Sequence, residues 1–217
     1  MSSVVTSTWS DNVTVLAPWA LITGESKRVT WDLRAKRGGM LFLAIGFGGS
    51  TDLTVSPSVI IRRVLNTDGA APRYADGIRL SSGYLDTAYR LINNGAGYAI
   101  GATSIAFDGH AGKAAALEDK WFFWGVTAIP GASGAISPAQ GCEVHRTSKG
   151  TATPLVIDSP LAYAHADNEY IGLAQSWSIP LQGGSLYEII FDNGGTAAGE
   201  AIACMANGQT YDSDLVT

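Results

Sequence analysis

Ser26-Lys27-Arg28-Val29-Thr30-Trp31-Asp32-Leu33, followed by Met40-Leu41-Phe42-Leu43-Ala44-Ile45-Gly46-Phe47, is the stretch that decides the fold. In its first half Val29, Trp31 and Leu33 alternate with Arg28, Thr30 and Asp32, the period-2 pattern of a strand with one face buried. The second half is apolar throughout and lies between Gly38-Gly39 and Gly48-Gly49, so it predicts a strand covered on both faces between two turns.

Working outward, residues 58–65, apolar apart from Arg62-Arg63, and residues 87–93 predict further strands. Residues 175–181, 185–192 and 200–206 predict three more, separated by Gln182-Gly183-Gly184 and Asn193-Gly194-Gly195. Those tight turns are expected to join consecutive antiparallel strands. Helical patterning is nearly absent, with residues 113–120 the best short candidate. The first 90 residues hold too few strands to close two sheets, so the simplest arrangement pairs them with the last 45. The expected fold class is all-β, a jelly-roll-like β-sandwich built from residues 1–95 and 161–217. Residues 96–160 are expected to form an inserted small β subdomain with strands in 103–107, 120–127, 142–147 and 154–158. The Gly-, Ser-, Ala- and Pro-rich link 128–140 predicts a protruding loop.

At 217 residues the chain is long enough to bury roughly 70% of its unfolded surface without staples. Hydrophobic residues make up 46% and charged residues 15%, below the roughly 25% charged of soluble domains. A surface so short of charge suits being covered by a partner. The net charge is −5, and the basic groups Lys27-Arg28, Arg34-Lys36-Arg37 and Arg62-Arg63 are scattered. With no basic stripe to neutralise phosphates, direct nucleic-acid binding is not expected. No apolar run reaches roughly 18 residues, and the N-terminus lacks the positive start and apolar run of a signal peptide, so no membrane association is expected. Cys142 and Cys204 lie 62 residues apart. A disulfide between them is unforced, and two free thiols fit synthesis in a reducing cytoplasm.

Residues with chemical potential are thinly spread. His110, His145 and His165 are far apart, with no metalloprotease spacing, and no Gly-x-Ser-x-Gly occurs. Cys142 and His145 stand three apart on a predicted strand, which places them on opposite faces and argues against a nucleophile pair. His165 reads as a turn or cap residue. Glu169, Glu188, Asp192, Asp212 and Asp214 could supply the two carboxylates of a glycosidase, but no spacing makes any two converge. Asp212-Ser213-Asp214 has oxygens for a hard cation such as calcium, though it reads more simply as a flexible acidic tail. Of the six tryptophans, Trp31 and Trp177 are expected in the core, and Trp121 and Trp124 on opposite faces of one strand. Trp9 and Trp19 complete the set. No catalytic, cofactor-binding or metal-binding residue is assigned, and neither an enzymatic activity nor a cofactor is expected.

Several stretches resemble parts of tailed-bacteriophage virion proteins. One set comprises Gly101-Ala102-Thr103-Ser104-Ile105-Ala106-Phe107-Asp108, Leu117-Glu118-Asp119-Lys120-Trp121-Phe122-Phe123-Trp124-Gly125, Glu143-Val144-His145-Arg146 and Thr153-Pro154-Leu155-Val156-Ile157-Asp158-Ser159-Pro160-Leu161. It resembles a small β module recurrent in those proteins. Ile179-Pro180-Leu181-Gln182-Gly183-Gly184-Ser185-Leu186-Tyr187-Glu188-Ile189-Ile190-Phe191-Asp192 resembles their closing hairpin, and Leu33-Arg34-Ala35-Lys36-Arg37-Gly38-Gly39 their first hairpin turn. The resemblance covers about half the chain. It implies a virion structural protein made in the host cytoplasm, of the head decoration (cement) type. Such a protein would sit on the capsid surface, with the major capsid protein and copies of itself, as a homotrimer, for partners. Tail or fibre components that bind host glycans share these modules and are the alternative. On the cement reading, residues 1–12 and 210–217 are expected to be arms that order only on binding.

Overall fold

The computed structural model describes residues 4–47, 53–66, 71–75, 77–81, 90–91, 94–106, 119–124, 134–136, 142–148, 154–196 and 198–216. All regular structure among them is β. The strands are β1 (Val4–Trp9), β2 (Val13–Ile22), β3 (Ser26–Asp32), β4 (Gly38–Phe47), β5 (Ser58–Asn66), β6 (Arg73–Tyr74), β7 (Ile78–Ser81) and β8 (Arg90–Leu91). They continue as β9 (Ser104–Ile105), β10 (Trp121–Trp124), β11 (Gly134–Ala135), β12 (Glu143–Arg146), β13 (Leu155–Val156), β14 (Tyr170–Gln182), β15 (Leu186–Asp192) and β16 (Ala201–Val216).

Two antiparallel sheets pack together. The larger runs β11-β2-β16-β4-β14-β10-β12, with β1 also on β16 and β8 on β14. The smaller runs β3-β15-β5, with β6 and β7 both on β5. Reading β2-β16-β4-β14 against β3-β15-β5-β7, the chain changes sheet at each step from β2 to β5 and again from β14 to β16. That interleaving of two Greek keys is a jelly roll. Its strands come from the two chain ends, as the sequence predicts. From the 96–160 stretch, β10 and β12 extend the large sheet beyond β14, β11 pairs with β2, and β9 and β13 form a ladder of their own.

The strand alternation around Trp31 is realised: Trp31 and Leu33 are buried while Arg28, Thr30 and Asp32 are exposed. β4 is central, flanked by β14 and β16, and is covered on both faces. Its Leu41, Leu43 and Ile45 join Trp31, Val59, Ile61, Ile189 and Phe191 of the small sheet in the main core. On the opposite face Ala44 packs with Phe123, Ile136, Ala174 and Ala203.

The turns depart from expectation. Residues 33–39, Gln182-Gly183-Gly184 and Asn193-Gly194-Gly195 do not close hairpins: each carries the chain from one sheet to the other. The reason lies in competing partners, because β15 is held on both edges by β3 and β5 while β14 pairs with β4 over nine residues. Two of these crossings brace each other. Gly183 donates its N–H to the Arg37 carbonyl at 3.0 Å, and Gly184 donates to Leu33 at 2.8 Å. A Cβ on Gly183 would run into the Lys36 carbonyl and the Arg37 backbone, so the close approach needs glycine. Arg34 closes the first crossing onto Asp32, with Nη2 2.6 Å from Oδ2. Hydrogen bonds from the Arg34 side chain and backbone hold the Asp32 carboxyl down at about 2.

Three further expectations change. The chain termini pair with each other instead of remaining separate arms: β1 runs antiparallel to Tyr211–Val216 of β16. Residues 4–9 are rich in Val and Thr, which favour strands, and their pairing draws the more polar residues 211–216 into the ladder. Asp212-Ser213-Asp214 is therefore strand, with Asp212 bound to Lys36 at 2.7 Å, and not a free acidic tail. Within the 128–140 link, Gly134 and Ala135 dock on Ala20 and Trp19, and Ile136 is buried, because an apolar residue beside the sheet edge gains more by covering it than by protruding. The remainder of that link, and residues 113–118 of the helical candidate, lie outside the described residues. No helix among the described residues is long and apolar enough to cross a membrane.

Candidate functional site

Among the described residues, the densest group of titratable side chains lies where β12 meets residues 157–169. On β12, Glu143 and His145 are two residues apart and so point to the same, inner face. Both are buried, whereas Arg146 is exposed. β10 pairs alongside with Trp124 opposite Glu143 and Phe122 opposite His145. The Trp124 ring packs against His165 at 4.7 Å and meets His145 nearly edge-on at 6.0 Å. Residues 157–165 close over the group, anchored by bridges from Ile157 to Thr147 and from His165 to Tyr98.

Glu143 is the hub. Its Oε2 accepts from His145 Nε2 at 2.7 Å and from the Ala162 N–H at 2.9 Å. Its Oε1 accepts from His165 Nε2 at 2.7 Å and from the Tyr163 N–H at 3.2 Å. Burial pushes the Glu143 carboxyl up, but the hydrogen bonds from His145, His165 and Ala162 outweigh it and hold the group down at about 2. His165 is fully buried, and its Nδ1 lies 3.0 Å from Glu169 Oε1. With a carboxylate at each ring nitrogen, His165 must donate from both and is an imidazolium. Burial opposes that charge; the hydrogen bonds to Glu143 and Glu169, together with their charges, prevail and raise the imidazolium to about 9. Glu169 completes its own set by accepting from the Ala166 N–H at 3.0 Å.

At the outer end, His145 Nδ1 lies 3.1 Å from Ser159 Oγ and 3.2 Å from Asp158 Oδ1. Ser159, His145 and Glu143 thus stand in the order of a nucleophile, base and orienting acid. The surroundings do not suit acyl transfer, which needs free backbone N–H groups aimed at the developing oxyanion. Residue 160 is proline. The N–H groups of Asp158, Leu161, Ala162 and Tyr163 are bound to Arg146, Ala102 and Glu143. What the arrangement does is clasp: it ties β12 and the 157–169 segment to each other and to the entry of β14.

The sequence-derived candidates fall as follows. Cys142 does not meet His145 and is half-buried; burial, with the charge of Glu169, pushes its thiol up to about 12, so it is no thiolate nucleophile at neutral pH. Cys142 and Cys204 form no disulfide with each other, and burial also drives Cys204 well above the usual thiol range. His165 bridges Glu143 and Glu169 within the cluster and is not a cap. Glu169 belongs to the cluster, whereas Glu188 pairs with Arg62 at 2.6 Å on the small sheet, with the Tyr74 hydroxyl at 3.2 Å. Asp192 ends β15 and Asp212 binds Lys36, so these carboxylates are on separate elements. Trp31 and Trp124 are buried, Trp19, Trp121 and Trp177 half-buried, and Trp9 is 52% exposed and tilted against Tyr211. His110 lies outside the described residues. Sequence spacing missed the cluster because its members come from a strand and from a segment about 20 residues further on. The traces it left are Glu143-x-His145, which a strand places on one face, and His165-x-x-x-Glu169.

No family model matches the chain, and no curated protein matches it. Among solved structures it is similar to the K3 cleaved adhesin domain of Lys-gingipain from Porphyromonas gingivalis, at 9% identity and a TM-score of 0.33. That alignment covers 84% of this chain, which spans 63% of the adhesin chain's length. A TM-score so low carries no weight for fold or function.

Proposed function

We propose that this chain is a structural protein of a tailed-phage virion, of the head decoration type, which binds the outer capsid surface and stabilises it. The observation that carries the reading is the paired terminal ribbon of β1 and β16. Beyond the contact of Tyr211 with Gly38 of β4, β16 continues to Val216 with β1 as its partner, and among the described residues no further strand takes the edges of this ribbon at one end of the jelly roll. Open edges are what proteins that pair with neighbours retain and what solitary proteins cover. Two other features support it. The resemblance of residues 101–161 and 179–192 to virion modules covers β10 and β12 at the margin of the large sheet, the β9–β13 ladder, and the passage from β14 into β15 of the small sheet. The main titratable cluster is a closed clasp that stiffens the fold, and stiffness suits a particle under internal pressure.

The test is to incubate the purified protein with heads that lack it, separate bound from free, and heat the heads until DNA is released. Saturable binding with a higher release temperature is expected. Heads that bind none of it and release DNA at an unchanged temperature would overturn the reading.

A further inference from the structure

We infer that the outer edge of β1 is a strand-addition site for β1 of a second copy of this chain, joining the two large sheets across a two-fold axis at Ser7. The Ser10 N–H donates to the Thr210 carbonyl at 2.8 Å, so Ser10 faces β16. Backbone direction alternates along a strand, so Thr8, Thr6 and Val4 also face β16, while Val5, Ser7 and Trp9 direct N–H and C=O outward. Among the described residues β1 pairs with β16 alone, and no other strand takes that outward edge.

The occupant follows from symmetry and charge. An antiparallel pair of identical strands is self-complementary: with Ser7 opposite Ser7, Val5 of each copy stands opposite Trp9 of the other. That register uses every outward group and brings a neighbour to the exposed Trp9. Residues 4–10 carry no charge, whereas the other strand of the ribbon carries Asp212 and Asp214. In a chain of net charge −5, a second copy meets no repulsion along β1 and would meet it along β16. The edge also lacks the Lys, Pro or bulge that normally blocks pairing; Pro18 is the first proline after it. The inference does not depend on the capsid reading, and its test contains no capsid.

Sedimentation velocity and light scattering of the purified protein are expected to show a concentration-dependent species of twice the 22.7 kDa chain mass. Ser7→Pro removes an outward N–H and spares the bonds to β16, so it is expected to sediment as a monomer with unchanged circular dichroism. Should that variant fail to fold, Ser7→Cys provides the second measurement. It is expected to form disulfide-linked dimers on mild oxidation, while Val5→Cys, well off the axis, does not. A wild type that stays monomeric across the accessible concentrations, or that forms trimers, would overturn the inference. So would a folded Ser7→Pro variant that associates like the wild type, or equal cross-linking at positions 5 and 7.

Discussion

Glu143 accepts four hydrogen bonds in a buried setting, and its neighbour His165 has a carboxylate on each ring nitrogen. Removing one charge from such a group leaves the others buried and uncompensated, which typically costs about 3–5 kcal/mol. Glu143→Gln is accordingly expected to lower unfolding stability by that order in urea titrations at neutral pH. The pH dependence has two limbs. His165 is raised from 6.5 to about 9, so its contribution is complete below pH 6.5 and is lost as pH rises through 9. Glu143 is lowered from 4.5 to about 2, so its contribution is complete above pH 4.5 and is lost as pH falls through 2. Melting temperature should therefore be highest between about pH 4.5 and 6.5 as far as this cluster decides it. His165→Gln should remove the fall between pH 6.5 and 9, worth on the order of 3 kcal/mol in the wild type. A wild-type curve flat across that range would remove the clasp from the account. Little of this was legible beforehand. The two-residue spacing of Glu143 and His145 was visible, but the return of residues 157–169 over β12 depends on packing against Trp124, which no local pattern encodes.

The elements were more legible than their connections. Alternation around Trp31 and the apolar run of β4 fixed half-buried and fully buried strands, because side-chain period follows directly from backbone geometry. The glycine turns misled, since a Gly-Gly pair permits a tight reversal within one sheet and a crossing between two equally well. Which occurs is decided by partners far away in sequence: β15 finds β3 and β5, and β14 finds β4. The crossing at Gly183 is tight enough to test. Gly183→Val would press a side chain into the backbone of Lys36 and Arg37, and overpacking of this kind costs about 1–3 kcal/mol. A clear drop in the chemical unfolding midpoint is expected, and a midpoint equal to wild type would show that the two crossings do not brace each other. The terminal strands were hidden for a similar reason. The Val- and Thr-rich residues 4–9 have strand propensity and the polar residues 211–216 have little, but each becomes a strand through the other, some 200 residues away.

At the scale of the whole molecule, the jelly roll takes both chain ends into one sandwich, and among the described residues no further strand pairs with their ribbon. The low charge noted in the sequence is explained in part by the fold, because much of the apolar content lies in a main core between the sheets and a second core on the outer face of the large sheet. On the ribbon itself the Trp9 ring is exposed and open to a partner. The proposed function is assembly onto a phage head. Cryo-electron microscopy of heads lacking the protein, before and after it is added, tests that claim most directly. New density is expected on the outer surface, accommodating the two-sheet sandwich with the terminal ribbon at a contact. Heads unchanged by the addition, or density confined to the tail, would contradict it.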